Sequence, residues 1–152
     1  MPVSWKCGVS LLRKIARLDA SDRLLLAQAL VVVPLVRVAL TVLPFRVVHR
    51  GIAAATRRLH RQAPASPCAR DRITWAVTVV AARVPRASCL TQALAATLML
   101  VRHGHAATLR VGVAKNDDGT LRAHAWLESD GQPILGEPAP GVFVPFPPVA
   151  FS

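Results

Sequence analysis

Acidic side chains are scarce in this sequence. Eight Asp and Glu stand against nineteen Lys and Arg in 152 residues, for a formal net charge of +11. Seventeen of the basic residues fall within residues 1–110, where only Asp19, Asp22 and Asp71 oppose them. Such asymmetry points to an anionic partner or to a solvated basic face. Aromatic residues are also few, at 5%. No basic cluster is interleaved with aromatics and no zinc-finger spacing occurs, so nucleic acid is not an expected partner. Cysteine is confined to Cys7, Cys68 and Cys89. An odd count at irregular spacing is neither a disulfide framework nor a metal motif, and a reducing cytoplasm fits it best. Internal repeats and low-complexity tracts are missing, and charges interrupt the first twenty residues where a signal peptide would need an apolar run. Charged residues make up only 18% and hydrophobic ones 53%. That excludes a disordered chain and leaves apolar surface to share with partners.

One long apolar run is present, LLLAQALVVVPLVRVALTVLPF at residues 24–45. It is long enough to cross a bilayer. However, Arg37 lies inside it, Pro34 interrupts it and Gln28 adds polarity. A central Arg costs about 2.5–3.5 kcal/mol even on the lenient insertion scale. Two buried or partner-facing helical pieces joined at Pro34 are therefore expected, with membrane association the less favoured reading.

Residues 1–62 read as a helical N-terminal region. Asp19 or Ser21 can cap a helix whose first turn holds Asp22, Pro44 bends or ends the next piece, and a basic helix runs on to about residue 62. A loop by composition, APASPCARD at 63–71, separates it from the remainder, 63–152. The length suits one compact domain. Helix is expected over 72–85, with Trp75 in the core. The next helix, over about 89–103, shows Leu90, Leu94, Thr97, Leu98 and Val101 at helical spacing, Ser88 as N-cap and Gly104 as terminator. Alternation then predicts strands in ATLRVGVA, LRAHAWLE and PIL, with turns at Asp118-Gly119 and at SDGQ. On the second strand Leu121, Ala123, Ala125 and Leu127 share one side, and Arg122, His124, Trp126 and Glu128 the other. The Pro-rich tail is expected to wrap over the body without regular structure. The fold class is α+β.

Two of these features suit nucleophilic catalysis. A thiol attacks only as thiolate, which a helix N-terminus and a nearby imidazole both favour. Cys89 directly follows the Ser88 cap, and the same helix end offers N–H donors to an oxyanion. His124 supplies the imidazole if the sheet packs on that helix. A third group must hold the ring, and Glu128, Asp130 and Glu137 are candidates. The plainer alternative is a small buried cysteine and a histidine packed beside Trp126. His103 and His105 flank Gly104 at a helix end that favours cations, and no metal site is expected there.

The segment SCLTQALAATLMLVRHGHAATLRVGVAKNDDGTLRAHAWLESDGQPILGE resembles the transglutaminase-like cysteine peptidases of lasso-peptide maturation, the lasso-peptide biosynthesis B proteins. ALTVLPF and ITWAVTVVAARVPRASCL are similar to the family's N-terminal part, so the resemblance covers most of residues 20–140. It implies a papain/transglutaminase-like fold, with N-terminal helices and a nucleophile helix packed on a small antiparallel sheet. It matches Cys89 to the nucleophile, His124 to the general base and Glu137 to the third member, with Asp130 in reserve. No cofactor is evident in the sequence, and a nucleotide requirement is not readable from it. The implied reaction is cleavage at the leader–core junction of a ribosomally made precursor peptide. Water resolves the acyl-enzyme, and a partner lasso cyclase joins the freed core N-terminus to an acidic side chain. Residues 1–62 lack a β-rich recognition element, so the chain resembles the split form served by a separate leader-recognition protein. An acyltransferase on the same Cys/His pair and a non-enzymatic basic adaptor are the alternatives.

Overall fold

Ala93, Ala95 and Ala96 are small residues on one helix, and all three are buried together with Leu94, Met99 and Leu100. A helix this small in girth lets neighbours approach from nearly every side. In a computed structural model, which describes residues 18–60, 70–116, 118–136, 143–147 and 149–150, it forms the centre of the fold. In chain order the described helices are α1 (Ala20–Val42), α2 (Phe45–His60), α3 (Arg70–Ala81) and this central helix, α4 (Cys89–Arg102). The strands are β1 (Thr108–Lys115), β2 (Leu121–Ser129), β3 (Gln132–Leu135), β4 (Val144–Pro145) and β5 (Val149–Ala150). α1, α2 and α3 all pack on α4, which in turn lies on β2 and β1. The expected α+β architecture, helices with a small antiparallel sheet, is the one observed. Residues 1–17 with Cys7, and residues 61–69 with Cys68 and most of the loop expected at 63–71, lie outside the described residues, whereas Arg70 and Asp71, expected in that loop, already belong to α3.

The sheet order is β3-β2-β1-β4, with β5 also on β1, and every pairing is antiparallel. β1 and β2 run in register from Thr108 opposite Glu128 to Lys115 opposite Leu121. Their turn closes on Asp118, whose carboxylate accepts from the Thr120 N–H at 2.9 Å, and on Gly119 at φ +84°. Leu109, Ala125 and Leu127 belong to the core shared with α4, so this side of the sheet faces the helices. His124, Trp126 and Glu128 alternate to the other side, as their spacing predicts.

Three expectations fail, each for a tertiary reason. α1 runs unbroken through Pro34 and stops only at Leu43, before Pro44. The lost hydrogen bond at Pro34 is offset by burial of Leu25, Leu26, Ala29, Val33 and Val36 along one face. The tail contributes regular structure, because residues 144–145 and 149–150 pair with the otherwise bare edge of β1. Trp75 is exposed. The buried stripe of α3 is Ile73, Ala76, Val77 and Val80, and position 75 points away from it.

An ion pair staples the helices. Asp22 on α1 is buried and bonds Arg72 on α3. Asp19 occupies the N-cap position of α1 without a side-chain capping bond, and its carboxylate lies 3.8 Å from the same guanidinium.

Candidate active site

Cys89 is the first residue of α4 and is half-buried against the core. The chain enters through Arg86, which takes a left-handed φ of +59°, and turns sharply into the helix. Ser88 then caps it, its Oγ accepting from the Thr91 N–H at 3.3 Å. The Gln92 N–H donates to the Ser88 carbonyl, so the N–H groups of Cys89 and Leu90 remain at the open helix end. There the helix dipole favours negative charge. The local sequence therefore sets the thiol beside two N–H groups that have no acceptor among the described residues.

Topology decides where the imidazole lies. A short connection at 103–107 reverses the chain from α4 into β1, and β2 reverses it again. β2 thus starts at the end of the molecule where α4 starts. A 14-residue helix spans about 21 Å. Five strand residues from Ser129 back to His124 span about 17 Å. Cys89 and His124 are thereby carried to the same end of the fold. They reach it from different sides, Cys89 on the helical layer and His124 on the far face of β2, and no hydrogen bond joins them among the described residues.

The His124 ring leans across β2 toward the end of β3. Its Nε2 lies 2.7 Å from the Gly136 carbonyl oxygen. A carbonyl only accepts, so Nε2 carries the proton and donates, and in the neutral ring Nδ1 keeps a lone pair for a substrate or thiol proton. Trp126 stacks at 6.3 Å between centroids and 19° between planes, and Phe143 stands at 5.3 Å on a tilt. Arg122 in turn lies over the Phe143 ring at 5.2 Å. Opposite His124 on β1 is Gly112. A Cβ there would meet the Val144 carbonyl at 3.0 Å, the Trp126 ring at 3.1 Å and Phe143 at 3.2 Å. Glycine lets the tail and the indole close on the sheet here without the crowding that a Cβ would bring.

Two of the three candidate acids have partners of their own. Glu128 is engaged: its carboxylate accepts from Arg110 Nε at 2.9 Å and from the Trp126 indole N–H at 3.0 Å. It lies four residues along the strand from His124, about 13 Å away. Asp130 sits in the β2–β3 turn at φ +52° and pairs with Arg70 at 3.4 Å. Six residues from His124, it is about 20 Å away and cannot hold the ring. Glu137 lies outside the described residues, and its chain neighbour Gly136 is the residue that meets His124. The Gly136 carbonyl, Phe143 and the Arg110–Glu128 pair were not singled out from the sequence. The first is a main-chain atom and the second reaches the site through long-range pairing. Arg110 and Glu128 are readable only once the β1–β2 register is known.

The half-buried thiol at a capped helix start and the main-chain-anchored histidine of β2 stand toward the same end of the fold without meeting among the described residues. The model of the transglutaminase-like superfamily matches residues 29–145. The chain belongs to this superfamily. No curated protein and no solved structure matches it. Transglutaminase-like domains are typically enzymes that act through a cysteine, as peptidases or acyl transferases, and the matched span holds both Cys89 and His124. In this transglutaminase-like chain the match begins inside α1, so part of the helical layer belongs to the domain along with the sheet.

Proposed function

We propose that this chain is a cytoplasmic cysteine peptidase that removes the leader from a lasso-peptide precursor at the leader–core junction. The observation that carries the proposal is the hydrogen bond between His124 Nε2 and the Gly136 carbonyl. With Nε2 donating to the Gly136 carbonyl at 2.7 Å, Nδ1 is the nitrogen free to act as base. Cys89 supplies the thiol, and Glu137, directly after Gly136, is the acid nearest in sequence to the residue that anchors the ring. The order of chain segments, from the Ser88-Cys89 helix start to the AHAWLE strand, supports the lasso-peptide assignment within the wider superfamily.

In the proposed reaction Nδ1 of His124 takes the Cys89 proton and the thiolate attacks the carbonyl carbon of the last leader residue. The oxyanion is met by the N–H groups at the start of α4. Collapse expels the core as a free amine, which receives the proton from His124, and leaves the leader as a thioester on Cys89. Water, deprotonated by the same ring, hydrolyses the thioester and releases the leader acid. The reaction requires the thiol and the imidazole, unbonded among the described residues, to come within hydrogen-bond reach in the substrate complex. A separate recognition protein delivers the leader, and a cyclase takes the freed core amine.

The test is incubation of precursor and recognition protein with the purified chain, followed by mass spectrometry. Free leader acid and free core are expected, with Cys89→Ala inactive at an unchanged circular-dichroism spectrum. Full cleavage by Cys89→Ala would refute the proposal. A leader amide instead of leader acid would move the chain to the acyl transferases.

A further inference from the structure

α1 has two apolar faces, and the core uses one of them. Ala29 and Val33 are fully buried, with Leu25, Leu26 and Val36 beside them. On the other side Leu24, Val31, Leu35, Val38 and Val42 are each at least 58% exposed. At 100° per residue these five fall within an arc of about 60° and run for about 27 Å along the helix. The stripe continues round the α1–α2 corner through exposed Leu43, Phe45 and Val47. There it borders an open groove of about 400 Å³, lined only by apolar residues and Gly51. Monomeric soluble domains rarely expose so continuous an apolar surface without a use for it.

The charge around the stripe is of one sign. α1 and α2 carry Arg23, Arg37, Arg46, Arg50, Arg57 and Arg58, and Asp22 is their only acid. Asp22 is buried and already committed to Arg72. Among the described residues none of the six arginines forms an ion pair. A second copy of the chain seated on this surface would set arginines against arginines. The length and apolarity of α1 would suit a membrane span, but its inner face is part of the core and its buried Asp22 is stapled to α3. The helix cannot leave the domain to cross a bilayer without exposing that core.

We propose that the outer face of α1 and its corner with α2 form a docking surface for an anionic lipid bilayer. α1 lies in the plane of the interface, with Leu24, Val31, Leu35, Val38 and Val42 among the acyl chains and the arginines on lipid phosphates. Cys89 and His124 take no part in this contact, so the inference stands apart from the peptidase reading.

The test is co-sedimentation of the full chain with vesicles of phosphatidylcholine alone and of phosphatidylcholine mixed with phosphatidylglycerol. Binding to the mixed vesicles, little binding to the neutral ones and release by added salt are expected. Leu35→Glu with Val38→Glu should weaken binding by at least about tenfold at an unchanged circular-dichroism spectrum. Arg46→Gln with Arg50→Gln, which leaves the apolar stripe intact, should weaken it similarly. Failure to bind mixed vesicles at low salt overturns the proposal, as does binding that neither double variant alters. A dimer in light scattering that Val38→Glu dissolves, without vesicle binding, would assign the face to a second copy and equally overturn it. So would capture of the face by an acidic protein when the chain ignores vesicles.

Discussion

At the scale of single residues, the surroundings of His124 are built from the main chain and from aromatic rings. The Gly136 carbonyl fixes the proton on Nε2, and Trp126 stacks against the ring. Glu128 holds the indole from below by accepting its N–H while also accepting from Arg110. Replacing Glu128 by Ala leaves two partly buried donors without an acceptor. Urea unfolding of Glu128→Ala should show a loss of about 1–3 kcal/mol, and Glu128→Gln, which retains one acceptor oxygen, should lose less. Much of this neighbourhood was legible in the sequence. Ser88 before Cys89 announced a capped helix start, and strict alternation in AHAWLE set His124, Trp126 and Glu128 on one side. That Glu128 and Asp130 are already engaged was not legible, because it depends on the β1–β2 register and on the approach of α3 to the β2–β3 turn.

At the scale of elements, local preference and tertiary packing disagree at Pro34. The sequence reads as two helices because proline removes a hydrogen bond and crowds the preceding turn. The fold keeps one helix because the residues on either side of Pro34 share a single buried face on α3 and α4. That burial outweighs a local cost. Pro34→Ala restores the bond while loosening the unfolded chain, so a net gain of about 2 kcal/mol is expected in chemical unfolding. No change, or a loss, would mean that the proline ring itself packs in a way that Ala cannot replace. β4 and β5 show the opposite kind of surprise. Two-residue strands in a proline-rich tail carry no periodic signal, and they exist only because β1 offers an unpaired edge. The placement of Trp75 failed for a related reason: the stripe through Ile73, Ala76, Val77 and Val80 is set by contact with α1 and α4, which mixed spacing does not specify.

At the scale of the whole molecule, the layers are tied by a few polar contacts whose charge states matter. One lies where the end of α4 meets α1. His103 Nε2 stands 3.2 Å from Gln28 Oε1, and burial, then Arg102, then His105 hold the His103 pKa below its ordinary 6.5. The unfolded chain therefore takes up this proton at a higher pH than the folded one. Its contribution to stability is complete above about 6.5 and is lost as the pH falls through the folded value. Urea midpoints measured from about pH 8 down to about pH 5 should decline, and His103→Gln should flatten the decline. Asp118, held below 3.8 by its bonds to Thr120, acts only in a separate, more acid window. The sheet has its own whole-molecule logic. Until residues 144–150 have left the ribosome, one margin of β1 stays bare and the wall that Phe143 gives to His124 is missing. Any chain cut short before them would be both sticky and without that wall, so these two brief pairings decide when the His124 side of the sheet is complete.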